Sequence, residues 1–234
     1  MMQVHSWPTP NGHKVHIMLE ECGLRLGRDW QAIPVNIGAG DQFKPPFLKI
    51  SPNNKIPALV DPEGPDGKPI TLFESGAILV YLAAKTGRFM PKSARRKFEV
   101  LQWLMFQMGS VGPMLGQTHH FRMYAPEKIA YAVNRYTNEA KRLYGVMDRQ
   151  LADRTFIAGN QYSIADIAIF PWLRNWQNQG INWVDYPRLK HWFDAIAARP
   201  AVQRGVEVLA ALRKPLTGDQ ERDVLFGKTQ YMKR

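Results

Sequence analysis

The segment from Asn53 to Leu82, NNKIPALVDPEGPDGKPITLFESGAILVYL, constrains the fold more than any other part of this chain. An Asn-rich turn precedes Ile56-Pro57; an apolar run Ala58-Leu59-Val60 follows, then a turn of Gly, Pro and Asp, and a second run Ile70-Thr71-Leu72-Phe73. Glu74-Ser75-Gly76 then opens a helical pattern, so the order predicts strand, hairpin, strand and helix start. An extended residue before Pro57 cannot continue a helix, and the Ile56-Pro57 bond is a candidate for the cis isomer in a tight turn. Held extended, the amide and carbonyl of Ile56 can pair with the backbone of an extended ligand as an added strand. At the other end, the amides and positive dipole of a new helix favour a carboxylate. The Ser75 hydroxyl can donate to that carboxylate, and Glu74 can accept from an ammonium beside it. Taken singly, a Ser or Glu at a helix start is a cap and a Pro in a turn is a turn residue. In this order and spacing they describe a grip for the headgroup of a small anionic peptide.

At 234 residues, with 45% hydrophobic and 22% charged residues, the chain has a globular profile, enough for one large domain or two ordinary ones. No run approaches the roughly 18 apolar residues of a membrane span, and MMQVHSWPTP lacks a signal pattern, so no membrane partner and a cytoplasmic location are expected. Cys22 is the only cysteine, which excludes an intrachain disulfide, a CxxC redox pair and a cysteine-based metal cluster. If the protein does thiol chemistry, the working thiol comes with the ligand. Cys22 falls at helical spacing with Val15 and Met18, which reads as a buried structural thiol. The net charge of +11 is scattered, its densest run being Arg95-Arg96-Lys97, with no basic helix interleaved with aromatics. That argues against a nucleic-acid partner and for a solvated basic surface able to attract an anionic peptide.

Residues 3–85 mix short apolar runs with two helical patterns in the approximate order β-α-β-α-β-β-α. The first strand is placed at Val4–Trp7, a helix at 12–23, a strand at 30–36 and a short helical or irregular piece at 42–49. After a linker of Gly, Pro and charge at 86–93, apolar residues recur at three and four through Leu101-Leu104-Met105-Met108, Ile129-Val133-Tyr136 and Leu143-Val146-Met147. The fold class is therefore an α/β domain over 1–86 followed by an all-α helical bundle over 93–212. Ser163-Ile164-Ala165-Asp166 is a capping box, and Pro171 is expected to bend or break the helix it opens. Residues 213–234 form a tail whose anchors are Leu225, Phe226 and Tyr231, either a frayed terminus or a lid. The adjacent His119 and His120 point in different directions on a helix and have no chelating neighbours, so no metal is expected; packing or lining of a pocket with Phe121, Tyr124 and Trp172 is.

NNKIPALVD followed by LFESGAILVYLA resembles the glutathione-binding half of the cytosolic glutathione transferases, whose thioredoxin-like domain carries a cis-proline and a Glu/Asp-Ser pair. Thr9-Pro10-Asn11-Gly12-His13-Lys14, Gln42-Phe43 and GPMLGQTHHF at 112–121 narrow the resemblance to the Nu-class bacterial disulfide-bond oxidoreductases of that superfamily. It spans roughly residues 3–205. The resemblance implies a thioredoxin-like N-terminal domain, an all-helical C-terminal domain and a homodimer with its sites near the interface.

In that superfamily a Tyr, Ser or Cys after the first strand usually steadies the glutathione sulfur. Here the turn reads Trp7-Pro8-Thr9-Pro10-Asn11-Gly12, which leaves the Thr9 hydroxyl and the Asn11 amide as the catalytic candidates. Both can donate to a thiolate at the start of the following helix; neither is a useful base, so the thiolate is stabilised electrostatically. That arrangement favours disulfide exchange, in which one glutathione thiolate attacks a small disulfide and a second resolves the mixed disulfide to oxidised glutathione. Organic hydroperoxides are a further substrate class. The resemblance further implies that Arg135 pairs a glutathione carboxylate through its fixed fork of donors, and that Gln42 and Lys55 hold the glycine carboxylate. Ile56, Glu74 and Ser75 complete the set. Two other readings stay open: transfer of glutathione to electrophiles, and a glutathione-binding regulatory protein without chemistry.

Overall fold

A computed structural model describes residues 1–213 and 218–232. The chain divides into two compact units, Met1–Ile78 with Gln203–Arg234, and Leu79–Val202.

In the first unit, β1 (Met2–Ser6), α1 (Pro10–Glu21), β2 (Trp30–Pro34), a 3-10 turn (Asp41–Phe43), α2 (Pro45–Leu48), β3 (Ala58–Asp61) and β4 (Ile70–Phe73) precede α3 (Ser75–Thr86), which runs across the division. The sheet order is β2-β1-β3-β4, with β1 and β2 parallel and the other pairs antiparallel. Parallel neighbours need a crossover, which α1 supplies, whereas β3 and β4 close through a short connection. The β-α-β-α-β-β-α order read from the sequence is the observed one. The boundaries of α1 differ: it starts at Pro10, because proline is well suited to the first helical position, and ends at Glu21 with Cys22 as its C-cap. Cys22 is thereby half-buried at the helix end, not sealed in the core beside the fully buried Val15 and Met18.

Few residues of α1 face solvent. Val15, His16, Ile17, Met18 and Leu19 are fully buried, and so, nearly, are His13 and Lys14. The last helix of the fold's main body, α9 (Pro200–Glu207), explains part of this: a Cβ on Gly205 would stand 2.7 Å from the Ile17 Cα, so only glycine permits the approach. An ion pair from Arg204 Nε to Glu20 Oε2 at 2.8 Å flanks the contact.

The second unit is helical. After α4 (Ala94–Phe106), π-helical turns at Gln107–Val111 and His120–Tyr124 bracket α5 (Gly112–His119); α6 (Ala130–Gln150), α7 (Ile164–Leu173) and α8 (Pro187–Ala197) follow. Leu104, Leu115, Leu143, Met147, Ile167, Leu189 and Ile196 are fully buried and form its centre. The capping box at the start of α7 is present, and Asp166 also accepts from Ile157 N and from Trp192 Nε1, each at 2.9 Å. Pro171 neither breaks nor ends α7, which continues to Leu173. The helix around it is buried almost throughout, and that packing outweighs the hydrogen bond proline cannot make.

In the tail, α10 (Asp219–Phe226) and a 3-10 turn (Lys228–Tyr231) group with the first unit. Of the expected anchors Tyr231 is 79% exposed and Phe226 36%, while Leu225 is half-buried. Contact also runs through Glu221 and Val224, which stand beside Gly38 and Gly40, and through Gln230, whose Nε2 donates to Asn54 Oδ1 at 3.4 Å. Residues 214–217 and 233–234 of the expected tail lie outside the described residues. No described helix is long and apolar enough to cross a membrane.

Candidate functional site

β1 delivers the chain into the turn Trp7-Pro8-Thr9. A Cβ on Gly12 would collide with the Trp7 carbonyl oxygen, so glycine lets α1 begin directly against the strand end. Thr9 is the N-cap of α1, in extended conformation, its Oγ1 accepting from Gly12 N at 3.4 Å. An accepting hydroxyl still has its own proton to donate, so capping and ligand contact use different parts of one group. Asn11 holds the second position of the helix and is half-buried.

The Ile56–Pro57 peptide is cis, as its position in the sequence suggests. Ile56 packs on the cluster of Val35, Phe47 and Ala58, while Ser51 Oγ donates to the Lys55 carbonyl at 2.8 Å, fixing the turn between them. Asn53 Nδ2 reaches Glu74 Oε1 at 3.5 Å and so joins this turn to the start of α3. Glu74 has φ of 68°, a left-handed conformation that non-glycine side chains seldom adopt, and its carbonyl accepts from Ile78 N at 3.0 Å. Strain of this kind persists where surroundings over-determine it, often at functional sites.

Ser75 is buried, and Lys14 Nζ donates to its Oγ at 3.2 Å. Lys14 is 1% exposed, and burial pushes its ammonium down to about 7, the Glu74 carboxylate opposing the shift. Sequence reasoning did not single out this lysine. The available signal is its spacing, three and four residues before Ile17 and Met18, which sets it on their buried face. Thus Lys55, Ile56, Glu74 and Ser75 come together around one turn and one helix start, with Thr9 and Asn11 on the helix that carries Lys14.

Gln42 is 3% exposed; its Nε2 donates to the Ile37 carbonyl at 3.1 Å, and its Oε1 is buried without a partner among the described residues. In this orientation it offers an inward-facing acceptor. Arg135 lies in the other unit, exposed on α6, in an open groove lined by Tyr131, Asn134, Asn138, Glu139 and Arg142. Glu139 is already bound by Arg142 at 2.7 Å, which, with a weaker contribution from Arg135, holds its carboxyl below the usual range.

His119 is built into packing. Its Nε2 is 3.2 Å from Gln179 Nε2, its ring stacks on Trp172, and Tyr144 donates to Gln179 Oε1 at 2.6 Å. Burial lowers its pKa, so the ring is neutral and accepts from the amide. Phe121 stacks on Tyr136 with centroids 5.3 Å apart. No group of three or more His, Cys, Asp or Glu among the described residues is arranged to hold a metal ion.

Comparison with known proteins identifies the family. The profile of the glutathione S-transferase N-terminal domain matches residues 9–85, and that of the C-terminal domain matches residues 111–200. Disulfide-bond oxidoreductase YfcG of Escherichia coli is 48% identical over 224 residues, 95% of this chain and 100% of the relative. A glutathione transferase family member from Pseudomonas fluorescens, solved with two glutathione bound, superposes with a TM-score of 0.83 at 48% identity, covering 88% of this chain and 92% of its own. One from Pseudomonas putida, solved with one glutathione disulfide per subunit, gives 0.83 at 44%, covering 88% and 91%. The chain belongs to the glutathione S-transferase family.

Proposed function

We propose that this protein is a glutathione-dependent disulfide-bond reductase whose working thiol arrives with the ligand, with organic hydroperoxides as a second substrate class. The observation that carries this reading is the placement of Cys22. It caps the C-terminal end of α1, whereas Thr9 caps the N-terminal end, and 13 residues at 1.5 Å each put them about 20 Å apart. The only protein thiol therefore stands far from the helix start that favours a thiolate. The relatives named or solved as a disulfide-bond oxidoreductase and as complexes with glutathione or its disulfide support the same reading.

The residues present fit a γ-glutamyl tripeptide. The Ile56 backbone is set to pair with the ligand's central peptide. Ser75 and the opening amides of α3 suit the γ-glutamyl carboxylate, and Glu74 suits the ammonium beside it. Lys55 suits the glycine carboxylate. Gln42, with its Nε2 committed to Ile37 and its Oε1 buried, reaches the glycine carboxylate expected of it only after its side chain reorients. Glutathione supplies the nucleophilic sulfur, and a second glutathione completes the exchange. Thr9 donates its hydroxyl proton toward that sulfur, and the first turn of α1 around Asn11 lowers the cost of its negative charge. Arg135 takes a carboxylate of a second peptide arm in a homodimer. The protein works in the cytoplasm, where glutathione is kept reduced.

Glutathione-dependent turnover of hydroxyethyl disulfide, an alkyl hydroperoxide and an aryl halide, measured side by side, tests the proposal. Fastest turnover of the disulfide supports it. Preference for the aryl halide makes the protein a conjugating transferase, and tight glutathione binding without turnover makes it a binding protein.

A further inference from the structure

The buried Lys14 has no task in the exchange chemistry, yet it reaches from the middle of one helix to the first residue of another. A lysine is rarely sealed away from water, because its ammonium loses hydration that few protein groups replace. Here it is 1% exposed, and Ser75, at 3.2 Å from its Nζ, is itself 4% exposed. A protonated Lys14 has only protons to offer, so in its ammonium form the Ser75 oxygen is the acceptor in this pair. The Ser75 proton is then directed away from Lys14. Relying on the reading of Ser75 as a carboxylate contact, we propose that Lys14 is a positioning residue of the glutathione site, which aims the Ser75 hydroxyl at the ligand carboxylate and takes up a proton from solvent when that carboxylate binds.

The direction of the linkage follows from the surroundings. With the site open, burial holds Lys14 near pKa 7, so above neutrality its amine is largely uncharged. The charged group acting on it from the α3 side is Glu74, which favours the ammonium. On its own helix the buried neighbours are His13 and His16, and burial leaves His16 neutral, its pKa down to about 3. A ligand carboxylate on Ser75 adds a second negative charge and raises the Lys14 pKa, while the ligand ammonium beside Glu74 offsets part of that charge. Binding therefore draws a proton onto Nζ between the two pKa values, and affinity falls as pH rises through that window.

S-methylglutathione, which has no thiol to titrate, is the probe. Calorimetry at pH 8 in buffers of different ionisation enthalpy reads proton uptake directly, with an upper limit of about 0.9 proton for a group moving from pKa 7 to well above 8. The expected result for the native protein is an uptake of at least half a proton and a Kd that rises severalfold from pH 7 to pH 9. Lys14→Met, of similar length and without a titrating group, is expected to bind more weakly at pH 7 and to lose most of the uptake. Binding by the native protein without proton uptake overturns the inference and leaves the glutathione reading intact. Uptake that persists unchanged in Lys14→Met overturns it too, assigning the proton to another group. Failure of S-methylglutathione to bind the native protein overturns the glutathione reading and the inference with it.

Discussion

Asp166→Ala is expected to destabilise the helical unit by about 3 kcal/mol or more, the largest effect foreseen for any side chain outside the glutathione site. The carboxylate is fully buried and accepts from Ile157 N at 2.9 Å, Trp192 Nε1 at 2.9 Å, Ser163 N at 3.0 Å and Ser163 Oγ at 2.9 Å. The hydroxyl can turn elsewhere, but the three N–H groups are left without an acceptor at about 1–3 kcal/mol each. Relief of the carboxylate's own burial, which pushes its pKa up, offsets part of the sum and brings it toward about 3–5 kcal/mol. Asp166→Asn keeps one oxygen for Ile157 and Trp192 and sets an amide against Ser163, whose hydroxyl can turn to accept, so its expected cost is about 1–2 kcal/mol. Urea denaturation followed by far-UV circular dichroism measures both. A loss below about 1 kcal/mol for alanine, or a larger loss for asparagine than for alanine, refutes the hydrogen-bond reasoning.

Glu74→Gly separates strain from binding. Relief of a left-handed conformation worth about 1–2 kcal/mol against a glycine entropy cost of about 0.5–1 kcal/mol predicts an unchanged or raised melting temperature, while calorimetry shows glutathione affinity down about tenfold or more. The buried Lys14 predicts a pH signature in stability. Its folded pKa of about 7 lies below the ordinary 10.5, so the unfolded chain binds more protons between these values and this group's contribution rises with pH there, by at most about 1.4 kcal/mol per unit. Denaturation at pH 7 and pH 9, compared with Lys14→Met, isolates the slope, which vanishes in the variant.

The two-part architecture was readable because apolar spacing changes from strand-like runs before residue 86 to a three-four repeat after residue 93, and each spacing admits one kind of element. The turn at Ile56-Pro57 and the helix start at Glu74-Ser75 were readable because proline and a polar pair at a helix start have few conformations open to them. Other features depend on partners distant in sequence. Lys14 looks like a surface lysine until Ser75 and the packed faces of α1 are in place. The π-helical turns at Gln107–Val111 and His120–Tyr124 leave the three-four repeat nearly undisturbed, and the continuation of α7 through Pro171 rests on burial that no local pattern reports. Tail contacts through Val224 and Gln230, in place of Tyr231, likewise follow from which loops the tail meets.

The origin of the reactive sulfur is the central claim, and the kcat/KM for glutathione-dependent reduction of hydroxyethyl disulfide by Cys22→Ser and Thr9→Ala tests it most directly. With Cys22 at the far end of α1, Cys22→Ser keeps the native value within about twofold. Loss of a hydrogen bond to a charged sulfur, about 1.5–3 kcal/mol, lowers Thr9→Ala by about 10- to 150-fold. A folded Cys22→Ser without activity, beside a Thr9→Ala of native rate, contradicts the account.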